Sequence, residues 1–300
     1  MLKKFGETYK LFRESRKITL RDIENKGISR SQLSRFEKGE TDLTTTKFIL
    51  ALKQINVPIE EFMYAANDFK RDHFYQLIDE IKQCFLERDV ARLQKLLIKQ
   101  IEKEDSSPAT ALEIIFLKIK LQELSKEKHF EEADITKITD YLFSVDYWGL
   151  FEILLFGNIM YIFNHDTFLV LSKEMLHRTE FYHDIPSYRR VITSMALNAF
   201  IICIERNCLV DARYFEKQIK HFYFDESEIY ERLIFKYACS FYEFKKAQSA
   251  QSILTMRKII GFMRVVECEK LAERYEEHLK KNIKFNSKQQ LIVQMRDKIE

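Results

Sequence analysis

Apolar residues recur three and four apart in run after run of this chain, separated by short polar breaks, so the pattern predicts helices nearly end to end. The stretch GISRSQLSRFEKG at 27–39 is a short helix with both ends marked. Gly27 allows a tight turn, Ser29 is an N-cap, Gln32 completes a capping box of the S-x-x-Q kind, and Gly39 is the stop. Leu33 and Phe36 form its apolar side. The remainder is Arg30, Ser31, Ser34, Arg35 and Lys38. Upstream, one helix should end near Lys17 and a second begin after Thr19, with Asp22 as box partner and Leu20 and Ile23 facing inward. Downstream, Thr44 caps TTKFILALKQI and Pro58 opens PIEEFMYAA. These five short helices make a complete small domain over residues 1–66.

Residues 67–72, NDFKRD, read as a linker. From His73 to residue 300 helical runs follow one another, broken near Pro108, at 126–134, near Pro186 and at 224–228. Helical hairpins at a period of roughly 40 residues describe a TPR- or HEAT-like solenoid; a compact bundle is the alternative. The last segment, QQLIVQMRDKIE, carries Leu291, Met295 and Ile299 as a stripe that needs a partner, either the last repeat or a second subunit.

Composition agrees with this pattern. Six glycines and three prolines in 300 residues leave few turns for sheets, so the fold class is all-α. Residues 1–66 hold 13 Lys/Arg against 9 Asp/Glu, while the rest of the chain is essentially neutral. A small basic module on a neutral body suits a polyanionic partner. No secretory signal opens the chain and no run is apolar enough to span a bilayer, so a cytoplasmic protein without membrane contact is expected. Cysteines 84, 203, 208, 239 and 268 have no C-x-x-C spacing and should be buried free thiols.

Two short helices joined by a glycine-containing turn are a helix-turn-helix, whose second helix enters the major groove of DNA. Arg30 and Arg35 can each donate two hydrogen bonds to guanine O6 and N7; Ser31 and Ser34 are secondary base contacts. Lys38 and Thr44, at helix ends, suit phosphates. Catalysis finds no support: H-E-x-x-H, G-x-x-x-x-G-K-[ST], G-x-S-x-G and G-x-G-x-x-G are all missing. His177 and His183 lie six apart, on different sides of a helix, so neither metal nor cofactor is expected.

The string RKITLRDIENKGISRSQLSRFEKGE resembles the Cro/repressor-type (XRE) helix-turn-helix. The opening LKKFGETYKLFRESRKITLRDI, the SRSQLSRFEKGE string and, more loosely, YLFSVDYWGLFEILLFGN resemble the Rgg/GadR/MutR family of peptide-responsive regulators. That resemblance implies a homodimer on a palindromic double-stranded operator, with RNA polymerase as a further partner. It also implies control by a short signalling peptide, secreted and re-imported, as in quorum sensing. Similarity to phage-repressor domains implies an internal ion pair between Arg13 and Glu37 that fixes the recognition helix. Some members of the family carry a cysteine just after that helix; residues 41–47 here hold threonines instead, which argues against an inter-subunit disulfide in this domain. Alternatives are an antitoxin or phage-type repressor whose helical domain binds a protein, and a stand-alone helical-repeat interaction protein.

For the peptide, Asn158 and Asn198 lie on apolar helix faces one repeat apart, where carboxamides can clamp an extended backbone. The alternative is that each satisfies a polar group of a neighbouring helix. Most of a heavy aromatic supply, Phe151, Phe156, Phe163 and Phe200 included, should be core, but a hydrophobic peptide needs some aromatics for side-chain pockets, and Tyr161 and Tyr237 are the candidate contacts. Arg190 and Lys236 are candidate partners for the peptide's carboxylates, and Trp148 is a packing anchor.

Overall fold

The computed structural model describes residues 2–24, 27–103, 107–221 and 226–282, and every regular element among them is helical. It divides into two compact units, Met1–Lys99 and Gln100–Glu300. The segment QQLIVQMRDKIE lies outside the described residues.

The first unit contains α1 (Leu2–Ser15), α2 (Leu20–Ile23), α3 (Arg30–Glu37), α4 (Thr45–Gln54), α5 (Ile59–Ala66), α6 (His73–Glu87) and most of α7 (Val90–Ile101). Their starts are chemically specified. Thr19 and Asp22 form a reciprocal capping box on α2, Thr44 accepts from the Lys47 amide on α4, and Asp72 accepts from the Phe74 and Tyr75 amides on α6. Tyr9, Ile23, Leu33, Phe36, Ala51, Leu52, Ile55 and Phe62 make the core of the first five helices. Phe48 meets Phe62 edge-on at 5.0 Å between ring centres.

Close approach of α1 to the end of α3 requires Gly6. A Cβ built there would stand 2.0 Å from the Phe36 carbonyl oxygen. Gly39, with φ +72, turns the chain immediately after α3.

The second unit is a row of helical hairpins: α8 (Pro108–Ser125), α9 (Glu132–Ser144), α10 (Leu150–Ile159), α11 (His165–His177), α12 (Pro186–Glu205), α13 (Leu209–His221), α14 (Ile229–Ala247), α15 (Ala250–Val265) and α16 (Glu269–Asn282). α8 packs with α9, α12 with α13 and α14 with α15, while α8, α10, α12 and α14 pack successively on one another. Because α10 contacts both α8 and α12, it is apolar almost all round; its Ile153, Leu154, Leu155, Phe156 and Ile159 are all buried. Trp148 is fully buried, and its indole N–H donates to the Leu142 carbonyl at 3.1 Å. Arg178 closes the end of α9 by donating to the Leu142, Phe143 and Val145 carbonyls, where a cation also meets the negative end of the helix.

Several stops lack glycine. Lys126, Asn207, Gln248 and Glu267 each take the left-handed conformation at helix ends, with φ between 52° and 66°. The cysteines are free, but only Cys84 and Cys203 are buried; Cys208 and Cys239 are half-buried and Cys268 is exposed, correcting the expectation of five buried thiols.

Gly6→Ala should destabilise the first unit by about 1–3 kcal/mol in thermal melts, through the clash with α3. Gly261→Ala, in the interior of α15 with nothing within 4 Å of an added Cβ, should instead stabilise by about 0.5–1 kcal/mol. The reverse order would show that α1 does not approach α3 as described.

Candidate functional site

The exposed face of α3 carries cations on a short, well-fixed helix. Ser29 sits in the extended region and accepts a hydrogen bond from the Gln32 amide at 3.3 Å. The second half of the expected box does not form. Gln32 Oε1 instead accepts from Lys47 Nζ at 2.9 Å, tying the start of α4 to α3, a link the sequence did not mark. Leu33, Phe36 and Glu37 are buried; Arg30, Ser31, Arg35 and Lys38 are exposed and Ser34 is half-buried. None of Arg30, Arg35 and Lys38 meets a carboxylate among the described residues, so three cations project from one helix without internal neutralisation. Thr44 is exposed and its oxygen is engaged in capping α4.

Behind that face lies a buried ion pair. Arg13 Nε donates to Glu37 Oε1 at 2.6 Å and its second arm to Glu37 Oε2 at 2.9 Å, while the remaining nitrogen donates to the Ile18 carbonyl at 2.7 Å. Both side chains are more than nine-tenths buried. The Glu37 hydrogen bond holds the guanidinium still more firmly protonated than usual, against the opposing effect of burial. A carboxylate on the last residue of a helix faces the negative end of the helix dipole, so Glu37 needs this cation. One side chain thereby fixes α1, the turn at Ile18 and the end of α3 together.

In the second unit, Asn158 and Asn198 are half-buried on α10 and α12, first helices that pack directly together. The contact is intimate beside them: the space over Gly157 is filled by Met195. Asn158 Nδ2 donates to its own helix at the Leu154 carbonyl, 2.8 Å, leaving one N–H and the carbonyl for other partners. Tyr161, 42% exposed, lies on a 3-10 turn (Met160–Ile162), donates to Glu123 and has Lys120 Nζ 5.1 Å above its ring. Burial lowers the Lys120 pKa, opposed by Glu123.

Arg190 is exposed on α12. Lys236 is exposed and lines a cavity of about 560 Å³ with Lys220, Ile229, Arg232, Leu233 and Phe235. Tyr237 requires a correction: it is fully buried, its hydroxyl donating to the Tyr275 carbonyl and lying 2.9 Å from His278 Nδ1. One residue along a helix is about 100° of rotation, so Lys236 faces out and Tyr237 in. Tyr237 joins α14 to α16 and does not face a ligand. Phe156, Phe163 and Phe200 are core, and Phe151 is half-buried.

Comparison with known proteins places this architecture. The sequence profile of the C-terminal domain of the HTH-type transcriptional regulator Rgg matches residues 94–277, and a helix-turn-helix profile matches residues 10–62. The chain is similar to the crystal structure of the SHP pheromone receptor Rgg2 from Streptococcus dysgalactiae, with 27% identity over 93% of this chain and 100% of that one and a TM-score of 0.80. A candidate transcriptional regulator from Listeria monocytogenes shares the fold at 22% identity, covering 94% of this chain and 97% of that one, with a TM-score of 0.81. PrgX, crystallised as the PrgX/cCF10 complex, shares it at 16% identity, 93% and 99% coverage and a TM-score of 0.69.

Arg13→Leu should cost the first unit about 3–5 kcal/mol in denaturant melts, because Glu37 is left buried without a partner. Arg13→Leu combined with Glu37→Leu should recover most of that loss. Equal destabilisation by the single and double variants would mean that Arg13 acts through packing alone.

Proposed function

The chain belongs to the Rgg family of helix-turn-helix transcriptional regulators, and on that premise we propose that it binds a palindromic operator as a homodimer under the control of a short signalling peptide. The family is one of regulators, not of enzymes. The observation that carries the reading is the unneutralised row Arg30, Arg35 and Lys38 on a helix fixed from behind by Arg13 and Glu37.

In this reading residues 1–66 contact DNA, 67–72 connect, and 73–300 supply dimerisation and peptide binding. Each α3 enters a major groove, with half-sites about 34 Å apart or a multiple of it. Arg35 and Arg30 meet base edges, Ser31 and Ser34 assist, and Lys38 and Thr44 sit by phosphates. The protein acts in the cytoplasm, meeting RNA polymerase at the promoter; no helix of the described residues is long and apolar enough to cross a membrane.

The peptide lies along the row of first helices. Asn158 and Asn198 offer amide groups to its backbone from two helices in contact. Arg190 and the cavity beside Lys236 meet its carboxylates, with Ile229, Leu233 and Phe235 receiving an apolar side chain. Tyr161 borders the same row, on the turn that follows α10. Similarity to the Rgg2 receptor for SHP pheromone supports a peptide as the ligand class. Peptide binding shifts the population between two dimer geometries, one of which matches the half-site spacing better.

Fluorescence polarisation on DNA from the promoter neighbourhood of the gene tests the DNA arm. Arg35→Ala should lose about 1–3 kcal/mol of discrimination at one base pair. Lys38→Ala should weaken binding to all sequences alike and flatten the slope of log K against log salt by about 0.9. Sequence preference that survives Arg35→Ala and Arg30→Ala would refute the assignment. For the peptide arm, short peptides from adjacent reading frames should bind about five-fold more weakly to Asn158→Ala and to Asn198→Ala, the loss of one hydrogen bond each. Affinity within error in both variants would move the ligand elsewhere.

A further inference from the structure

One cluster in the second unit lies outside the residues assigned above to peptide or DNA. His165 is the first residue of α11, Cys208 lies between α12 and α13, and Asp211 is in the first turn of α13. These residues come from parts of the chain more than forty positions apart, yet His165 Nε2 stands 3.0 Å from Asp211 Oδ2. The imidazole nitrogen, thiol sulfur and carboxylate oxygen all lie within 4.8 Å of one another. All three side chains are half-buried, so the cluster is reachable from solvent.

The surrounding chain holds the group in place. Asn207 takes the left-handed conformation, φ 61°, and the Cys208 amide donates to the Cys203 carbonyl at 2.9 Å, which fixes the turn that presents Cys208. Arg206 reaches back across this turn and donates to the Phe163 carbonyl at 2.9 Å and the Tyr161 carbonyl at 3.2 Å. Its guanidinium also lies 4.8 Å over the Phe168 ring. The segment leading into His165 is thus fastened to the segment leading into Cys208. Asn164 caps α11 through the Thr167 amide and sets the direction of the residue that follows it.

From this preorganised set we propose that His165, Cys208 and Asp211 bind one divalent transition-metal ion of the zinc type. A thiolate, a neutral imidazole and a carboxylate are the donors such an ion prefers, and together they balance its two positive charges. Three protein ligands leave the fourth tetrahedral position for water. On binding, Cys208 gives up its thiol proton, and the imidazole carries its proton on Nδ1 while Nε2 faces the ion. Cys203 is fully buried, and that burial pushes its thiol pKa upward. The ion joins the start of α11 to the start of α13, across two consecutive hairpins of the ligand-binding unit.

Titration of the full-length protein with Co2+, then displacement by Zn2+, tests the site. The expected result is one equivalent of Co2+ bound with a sulfur-to-cobalt charge-transfer band that Zn2+ abolishes. Cys208→Ser should lose the band, and Asp211→Asn and His165→Gln should bind more than roughly 100-fold more weakly, beyond the loss expected from an outer supporting contact. Cys268→Ser, at an exposed thiol before α16, should behave as the unaltered protein. Circular dichroism and promoter-DNA binding confirm that each variant is folded. Failure of the unaltered protein to bind Co2+, a sulfur band that persists in Cys208→Ser, or one lost in Cys268→Ser overturns the proposal.

Discussion

A carboxylate buried at the end of a helix is costly to fold around, and Glu37 is tolerated because Arg13 meets both of its oxygens. The placement of α3 depends on that contact. It joins α1 to the last turn of α3, and the third guanidinium nitrogen adds the turn at Ile18. Gly6 lets the two helices come close enough for the reach to work, since any side chain there would collide with the Phe36 carbonyl. The outer face of α3 is then free to carry Arg30, Arg35 and Lys38 without a structural duty. Rigidity is on one side of the helix, and the face proposed to read DNA is on the other.

The second unit solves a different problem. Its helix α10 is apolar on several faces because it is packed against α8 and α12 in the row, and polar side chains tie neighbouring segments together. Arg178 ends α9, Arg206 fastens one connection to another, and Tyr237 reaches from α14 to α16. These contacts hold hairpins at fixed spacing, which suits the proposed binding of an extended peptide through the amides of Asn158 and Asn198. A hairpin row can also change curvature by small shifts between neighbours, which is how the proposed peptide would bias the geometry of the proposed dimer.

The helix-turn-helix was legible because its signals are local. Caps at Thr19, Ser29 and Thr44, glycines at 27 and 39, and the spacing of Leu33 and Phe36 each report on a few adjacent residues. The hairpin breaks beginning α8 and α12 were legible through Pro108 and Pro186. Stops at Asn207, Gln248 and Glu267 were not, because an ordinary residue in the left-handed conformation leaves no mark in the letters. Side-chain direction was the other weak point. The letters make Lys236 and Tyr237 equal candidates for ligand contact, but only the packing of α14 against α16 tells which of two neighbours faces inward. The meeting of His165 with Asp211 depends on how consecutive hairpins stack, and sequence spacing gave no hint of it.

The most direct test replaces single guanines in the operator with 7-deazaguanine, which removes the N7 acceptor from the major groove and keeps base pairing. At one position in each half-site the unaltered protein should lose affinity. Arg35→Ala should be indifferent to the replacement at that position, because the interacting partner is already gone. If the unaltered protein, Arg35→Ala and Arg30→Ala all lose the same affinity at every position, α3 does not read bases through its arginines and the account fails.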